Sequence, residues 1–311
     1  MRSLKFVSLS LLLIVGLFLG ACSNQEQAGS TPEDTVQITT TTGMIADIVK
    51  NVGGDRVAVQ SLMGPGVDPH LYKASQGDIG KLDQADMIFY NGLNLEGKMA
   101  DIFVRMASSK PTIQVTETID EEALLEPEEF DGHYDPHIWF DVQLWMKAVE
   151  RVRDALIEFD PAHKADYTKN AAAYLAQLEE LDQYGKDQIS LIPEESRVLV
   201  TAHDAFGYFG KAYNIEVMAL QGISTDAEYG LADVQALVDI LVDRNIKAVF
   251  VESSVSSKAI EAVVEGARKK GHEVQVGGEL FSDAMGDDGT EEGTYIGMFR
   301  HNIDTIVSAL K

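Results

Sequence analysis

The sequence predicts an α/β protein of two lobes, each built on a parallel four-stranded sheet, joined by one long rigid helix. Three observations predict it. From residue 35 to 159, β-branched runs alternate with segments of helical spacing, the grammar of βα units. The same alternation resumes at residue 193 and continues to the end. Between them, residues 160–192 read as a single helix; thirty residues at helical rise span roughly 45 Å, too long for a crossover within one sheet.

In order, residues 36–42 are strand-like, and residues 44–52 carry Ile45, Ile48 and Val49 on one helical face, ended by Gly53-Gly54. Residues 57–63 form a second strand, closed by the turn Gly64-Pro65-Gly66. A helix at 78–82, a strand at 87–90, a helix at 95–106 and a strand at 112–115 complete the first sheet. Residues 121–131 form an acid-rich surface loop, and 139–159 a helix. Asp160-Pro161 opens the linking helix, with Asp as N-cap and Pro at the first helical position. Tyr174, Leu178 and Leu181 give that helix one apolar stripe. In the second lobe, strands fall at 197–201, 215–220, 248–252 and 273–276, with helices at 204–213, 231–243, 257–270 and 293–310.

The beginning of the chain reads differently. Arg2 and Lys5 precede an apolar run from residue 6 to 19, and Gly20-Ala21 lead to Cys22, the one cysteine. The run is shorter than a membrane span needs, and the pattern resembles a bacterial lipoprotein signal cut before a lipid-bearing Cys22. Residues 1–21 are then a signal peptide, and residues 22–34 the anchor and a flexible polar tether. Removing residues 1–21 takes away two basic residues and no acid, leaving 23 basic against 50 acidic residues and a formal charge of −27. So acidic a chain excludes nucleic acid as a partner, since phosphate binding needs a basic face.

The chemistry concentrates at the ends of strand-like runs. Asp-Pro-His occurs twice, as Asp68-Pro69-His70 and Asp135-Pro136-His137, each in a turn-like stretch. His203 follows a third run, and Asp283 follows the last run and its loop. These four residues are 67, 66 and 80 positions apart, so only the whole fold could assemble them. In open α/β sheets, ligands collect at the carboxyl ends of strands. Two residues from each lobe would then hold one divalent metal ion in the cleft between lobes. Asp68, Asp135, Asp204 and Glu252 are candidates for orienting the imidazoles from behind. His133, His163, His272 and His301 lack such placement and read as structural or exposed.

At this point the sequence resembles the cluster A-I solute-binding proteins of metal ABC importers, especially the manganese-binding lipoproteins of Gram-positive bacteria. The stretches that carry the likeness are LMGPGVDPHLYKASQGD (62–78), DPHIWFD (135–141), VTAHDAFGYFG (200–210), LQGIST (220–225), VFVESSVSSK (249–258) and GGELFSDAMGDDGTEEGTY (277–295). The resemblance implies a monomer that binds a metal at His70, His137, His203 and Asp283. It also implies small closing motions, lipid anchoring at the outer face of the cell membrane, and delivery to the permease of an importer with its ATPase. Many manganese-specific members carry glutamate where this chain has His203, and members with three histidines and one aspartate accept zinc. Zinc importers usually have a long histidine-rich loop, whereas here the acidic loop holds only His133. Manganese is therefore the expected cargo, zinc the alternative and iron a third.

Two other classes fit the sequence less well. A metal-dependent hydrolase needs an open coordination position and a base, yet four protein ligands close a tetrahedral ion. No HExxH, nucleophile elbow or phosphate loop occurs. A surface adhesin would suit a lipid-anchored protein, but no motif points to one.

Overall fold

The structure is a computed structural model that describes residues 35–130 and 132–311. Cys22 and the stretches expected to be signal peptide and tether fall outside the described residues. Val36–Lys311 form one compact unit, and it contains two βα lobes.

In the first lobe, β1 (Val36–Thr40), β2 (Val57–Ser61), β3 (Met87–Tyr90) and β4 (Thr112–Gln114) make a parallel sheet in the order β2-β1-β3-β4. Ile38 pairs with Val59 on one side and Met87 on the other. Parallel sheets are covered on both faces, and β3 shows it. Met87 and Phe89 join the core with Ile45, Ile48 and Val49 of helix α1 (Gly43–Gly53). Ile88 points the other way, among Leu82 of α2 (Gln76–Gln84) and Phe103 and Met106 of α3 (Ala100–Ala107). Helix α2 begins with a capping box: the Asp78 amide donates to Ser75 Oγ, and the Asp78 carboxylate accepts the Ser75 N–H and the Tyr72 hydroxyl. This braces the segment that follows His70.

Helix α4 (Val142–Phe159) starts three residues later than expected, because Ile138–Phe140 form a 3-10 turn and Asp141 caps the helix through the amides of Gln143 and Leu144. The linking helix α5 (Lys164–Ile189) follows a 3-10 turn at Pro161–His163. Pro161 does sit in the first turn, but Asp160 makes no capping bond. Its carboxylate instead accepts the Tyr167 hydroxyl and pairs with the His163 ring, at 2.8 and 2.7 Å. The stripe of Tyr174, Leu178 and Leu181 is buried, and α5 packs on α1 and α4.

The second lobe contains β5 (Val198–His203), α6 (Gly207–Tyr213), β6 (Glu216–Gln221), α7 (Leu231–Asp243), β7 (Ala248–Glu252), α8 (Lys258–Lys269), β8 (Gln275–Leu280) and α9 (Tyr295–Leu310), with α9 also against α5. All pairings are parallel, but the hydrogen-bonded ladders join β5 to β6 and β7 to β8 as two pairs, not one four-stranded ladder. At the seam between β5 and β7, the Glu252 carboxylate accepts the N–H groups of Ala202 and His203. Helix α6 starts later than expected because Asp204 extends the strand edge, donating its N–H to the Gln221 carbonyl. Strand β8 runs on through Gly277-Gly278, which the sequence placed in a loop. Helix α9 explains the glycines: a Cβ on Gly277 would lie 2.7 Å from Ala309 and 2.8 Å from Phe250.

Candidate metal centre

His70, His137, His203 and Asp283 converge, although they come from four separate segments. His70 lies beyond β2, His137 beyond β4, His203 is the last residue of β5, and Asp283 lies just past β8. All four are buried, and one nitrogen or oxygen from each falls within 4.8 Å of the others. His70 Nε2 is 3.2 Å from His137 Nε2, and His137 Nε2 is 3.3 Å from Asp283 Oδ1. Asp283 Oδ2 is 3.6 Å from His203 Nδ1 and 3.8 Å from His70 Nε2. Four donors in a tetrahedron at zinc-like bond lengths of about 2.0–2.1 Å would sit about 3.4 Å from one another. The observed separations are those of donors around one small ion. Among the described residues, no other group of three or more such side chains is gathered this way.

The satisfied and unsatisfied atoms point to the same place. Both Asp283 oxygens, His203 Nδ1 and Glu252 Oε2 are buried with no well-directed hydrogen bond. Buried polar atoms without partners are costly, about 1–3 kcal/mol each, so a cluster of them facing one point fits a cation.

The ring nitrogens divide by role. His137 Nδ1 is held by Asp135 Oδ1 at 2.7 Å, which turns Nε2 inward. His203 is reversed: Nε2 donates to the Ile223 carbonyl at 2.9 Å, leaving Nδ1 to face the centre. Burial drives His70 down to about 3, so it is neutral. Burial also disfavours charge on His137, but Asp135 and Asp283 on either side overcome it and raise the ring to about 10. His203 is raised as well; burial opposes this, and Asp283 and Glu252 prevail. Burial works against the Asp283 carboxylate too, but the surrounding histidines hold it well below the usual range. The two Nε2 atoms stand at hydrogen-bond distance, so one ring donates and the other accepts.

Of the candidates for orienting the imidazoles, Asp135 does so most directly. Besides the ring, its Oδ1 accepts the His137 amide at 2.9 Å, and its backbone carbonyl accepts the Tyr208 hydroxyl. Gly207 passes so near this carboxylate that a Cβ there would lie 2.9 Å from Oδ2. Replacing Asp135 with Asn is expected to weaken divalent-metal binding about 10- to 100-fold, read by calorimetry; a change below twofold would show that the charge behind His137 is idle.

Glu252 supports the backbone of His203, and its Oε2 lies 3.7 Å from Nδ1. Asp68 departs from expectation: it takes the backbone N–H of His70 at 2.8 Å rather than the ring, and its Oδ2 accepts the Thr225 hydroxyl from the other lobe at 2.6 Å. Asp204 follows His203 directly, and its N–H goes to the Gln221 carbonyl.

Sequence reading missed several supports. The Ile223 carbonyl has no side-chain signature. Ser254 Oγ bonds Ser282 Oγ at 2.7 Å and accepts the Asp283 amide at 3.4 Å, and Trp139 Nε1 donates to the Ser282 carbonyl. Ser254 lies inside VFVESSVSSK, but only the folded chain gives it a role. The remaining histidines lie elsewhere: His133 is exposed beside Phe130, His163 pairs with Asp160, and His272 and His301 donate to backbone carbonyls.

Known proteins resemble the chain over nearly all of its described residues. Residues 38–309 match the family described as zinc-uptake complex component A, periplasmic (ZnuA). The chain is 54% identical over 286 residues to the manganese-binding lipoprotein MntA of Bacillus subtilis, covering 92% of this chain and 93% of that one. It is 50% identical over 273 residues to the zinc-binding protein TroA of Treponema pallidum, covering 88% of each. The solved structure of the periplasmic zinc-binding protein TroA from Treponema pallidum superimposes with a TM-score of 0.87 at 49% identity, covering 89% of this chain and 99% of that one. With a match across nearly all of its described residues and a buried three-histidine, one-aspartate centre, the chain belongs to the ZnuA family.

Proposed function

We propose that this protein captures a divalent metal ion outside the cytoplasm and hands it to the permease of an ABC importer driven by its ATPase. His70, His137, His203 and Asp283 are the ligands in this reading. One observation carries it: four buried donors from two lobes gather within 4.8 Å of one another, with both carboxylate oxygens and His203 Nδ1 without a hydrogen bond. The cargo is Mn²⁺. The 54% identity to a manganese-binding lipoprotein supports this, as does an Asp283 with both oxygens available to raise the coordination number.

Zn²⁺ is the second reading, favoured by the histidine at position 203 and by the 50% identity to a zinc-binding protein. Nitrogen-rich sites hold Zn²⁺ more tightly than Mn²⁺, so affinity alone does not name the cargo. Growth of a deletion strain in chelated medium does. Rescue by Mn²⁺ and not Zn²⁺ is expected; rescue by Zn²⁺ alone would transfer the protein to zinc uptake.

The protein acts in this reading as a monomer anchored to the bilayer through Cys22, with lobes at 35–159 and 193–311 and the link at 160–192. Relatives named as lipoproteins support the anchor, and no helix among the described residues is long and apolar enough to cross a membrane. Carrying metal, not catalysis, suits a centre whose four ligands are all protein side chains.

A further inference from the structure

We infer that the turn at residues 222–226 is a clasp across the cleft, with Thr225 as its positioning residue, and that it sets how long a captured ion stays. This rests on reading the four-residue centre as the metal site.

The clasp is built from the β5–β6 register. His203 stands opposite Gln221, the last residue of β6. The Gln221 side-chain amide donates to the carbonyls of Thr225 and Ala227, at 2.6 and 2.8 Å, and so curls the chain back over the strand ends. The turn makes two contacts behind the metal centre. On the second-lobe side, the Ile223 carbonyl takes the outward nitrogen of His203 at 2.9 Å. On the first-lobe side, Thr225 Oγ1 donates to Asp68 Oδ2 at 2.6 Å, while Asp68 Oδ1 accepts the amide of His70 at 2.8 Å. One short turn therefore fixes a ligand ring of one lobe and, through Asp68, the backbone of a ligand in the other.

An ion enclosed by four buried side chains leaves only when the lobes part, and parting them breaks the Thr225–Asp68 bond. Thr225 is 8% exposed, so water competes poorly for that bond in the closed form. The acceptor is a carboxylate, which makes the bond one of the stronger kind. In the open form, water can replace Thr225. Losing the hydroxyl should therefore destabilise the closed form and speed release while leaving association nearly unchanged. Lys98 and Asp226 bridge the same gap at 2.8 Å, but their side chains are 35% and 57% exposed. Such an exposed pair contributes little and serves as the control.

The test is stopped-flow release of Mn²⁺, and separately of Zn²⁺, from full-length protein into excess chelator. Thr225→Val is expected to release metal about tenfold to a hundredfold faster, with association within twofold and an unchanged circular dichroism spectrum. Thr225→Ser, which keeps the hydroxyl, should restore slow release, and Lys98→Ala should stay within twofold. Combining Asp68→Asn with Thr225→Val should give less than the product of the two separate effects. A folded Thr225→Val protein that releases at the parent rate would overturn the clasp, as would failure of the serine variant to rescue. If the valine variant does not fold, Thr225→Ala is read by the same criteria. A parent protein that binds neither metal would overturn the reading of the site itself, a result distinct from any difference among variants.

Discussion

Replacing His137 with alanine is expected to weaken Mn²⁺ or Zn²⁺ binding by at least about a hundredfold, since removing even a group behind a ligand costs about 10- to 100-fold. His137 is the most connected member of the centre. Its Nε2 lies near both His70 and Asp283, and its Nδ1 is committed to Asp135. Truncation removes a donor and also the cation that balances two buried carboxylates, Asp135 and Asp283. Part of the protein's metal-free stability should go with it. Competition with a chelator of known affinity measures the loss, and circular dichroism separates it from unfolding. His137→Gln, which keeps more of the volume, should bind almost as poorly. An affinity within threefold of the parent would remove His137 from the ligand set.

Binding should also eject protons, and its strength should climb with pH. At neutral pH the metal-free site holds His70 neutral and Asp283 ionised, so neither has a proton to give up. His137, raised to about 10, carries a proton on the nitrogen that the ion requires, and His203 is shifted in the same direction. A group whose proton must leave before the ion enters makes affinity rise about tenfold per pH unit for each proton displaced, below that group's pKa. Between pH 6 and 8 the expected slope of log affinity against pH is about one from His137, rising toward two at the lower end of the window, where His203 also holds its proton. Calorimetry in buffers of different ionisation enthalpy counts the protons directly. Affinity that stays flat over that range would mean the ring of His137 is already bare.

Much of the centre's location could be read from the sequence because it follows a topological rule. Each of the four side chains lies at or beyond the carboxyl end of a β-run, and the doubled Asp-Pro-His marked two of them. What could not be read depends on contacts between distant segments. No sequence signal tells which nitrogen of a histidine faces inward. For His203 a backbone carbonyl at Ile223 decides it, for His137 the carboxylate of Asp135. Asp68 and Asp135 sit in identical tripeptides, yet one faces a ring and the other a threonine from the opposite lobe. In the fold, local preference misled at β8. Glycines weaken strands, but here the helix packed over them requires their lack of a side chain. Helix starts differed by a few residues where 3-10 turns lead in.

The apolar interior has a thermodynamic consequence. One continuous cluster joins Ile38 and Ile48 of the first lobe, Leu178 of the linking helix, and Phe209 and Phe299 of the second. Neither lobe can melt without baring surface that belongs to its neighbour, so unfolding of the two lobes is expected to be coupled. Occupancy at the cleft is then expected to protect both lobes together against heat and proteases by mass action.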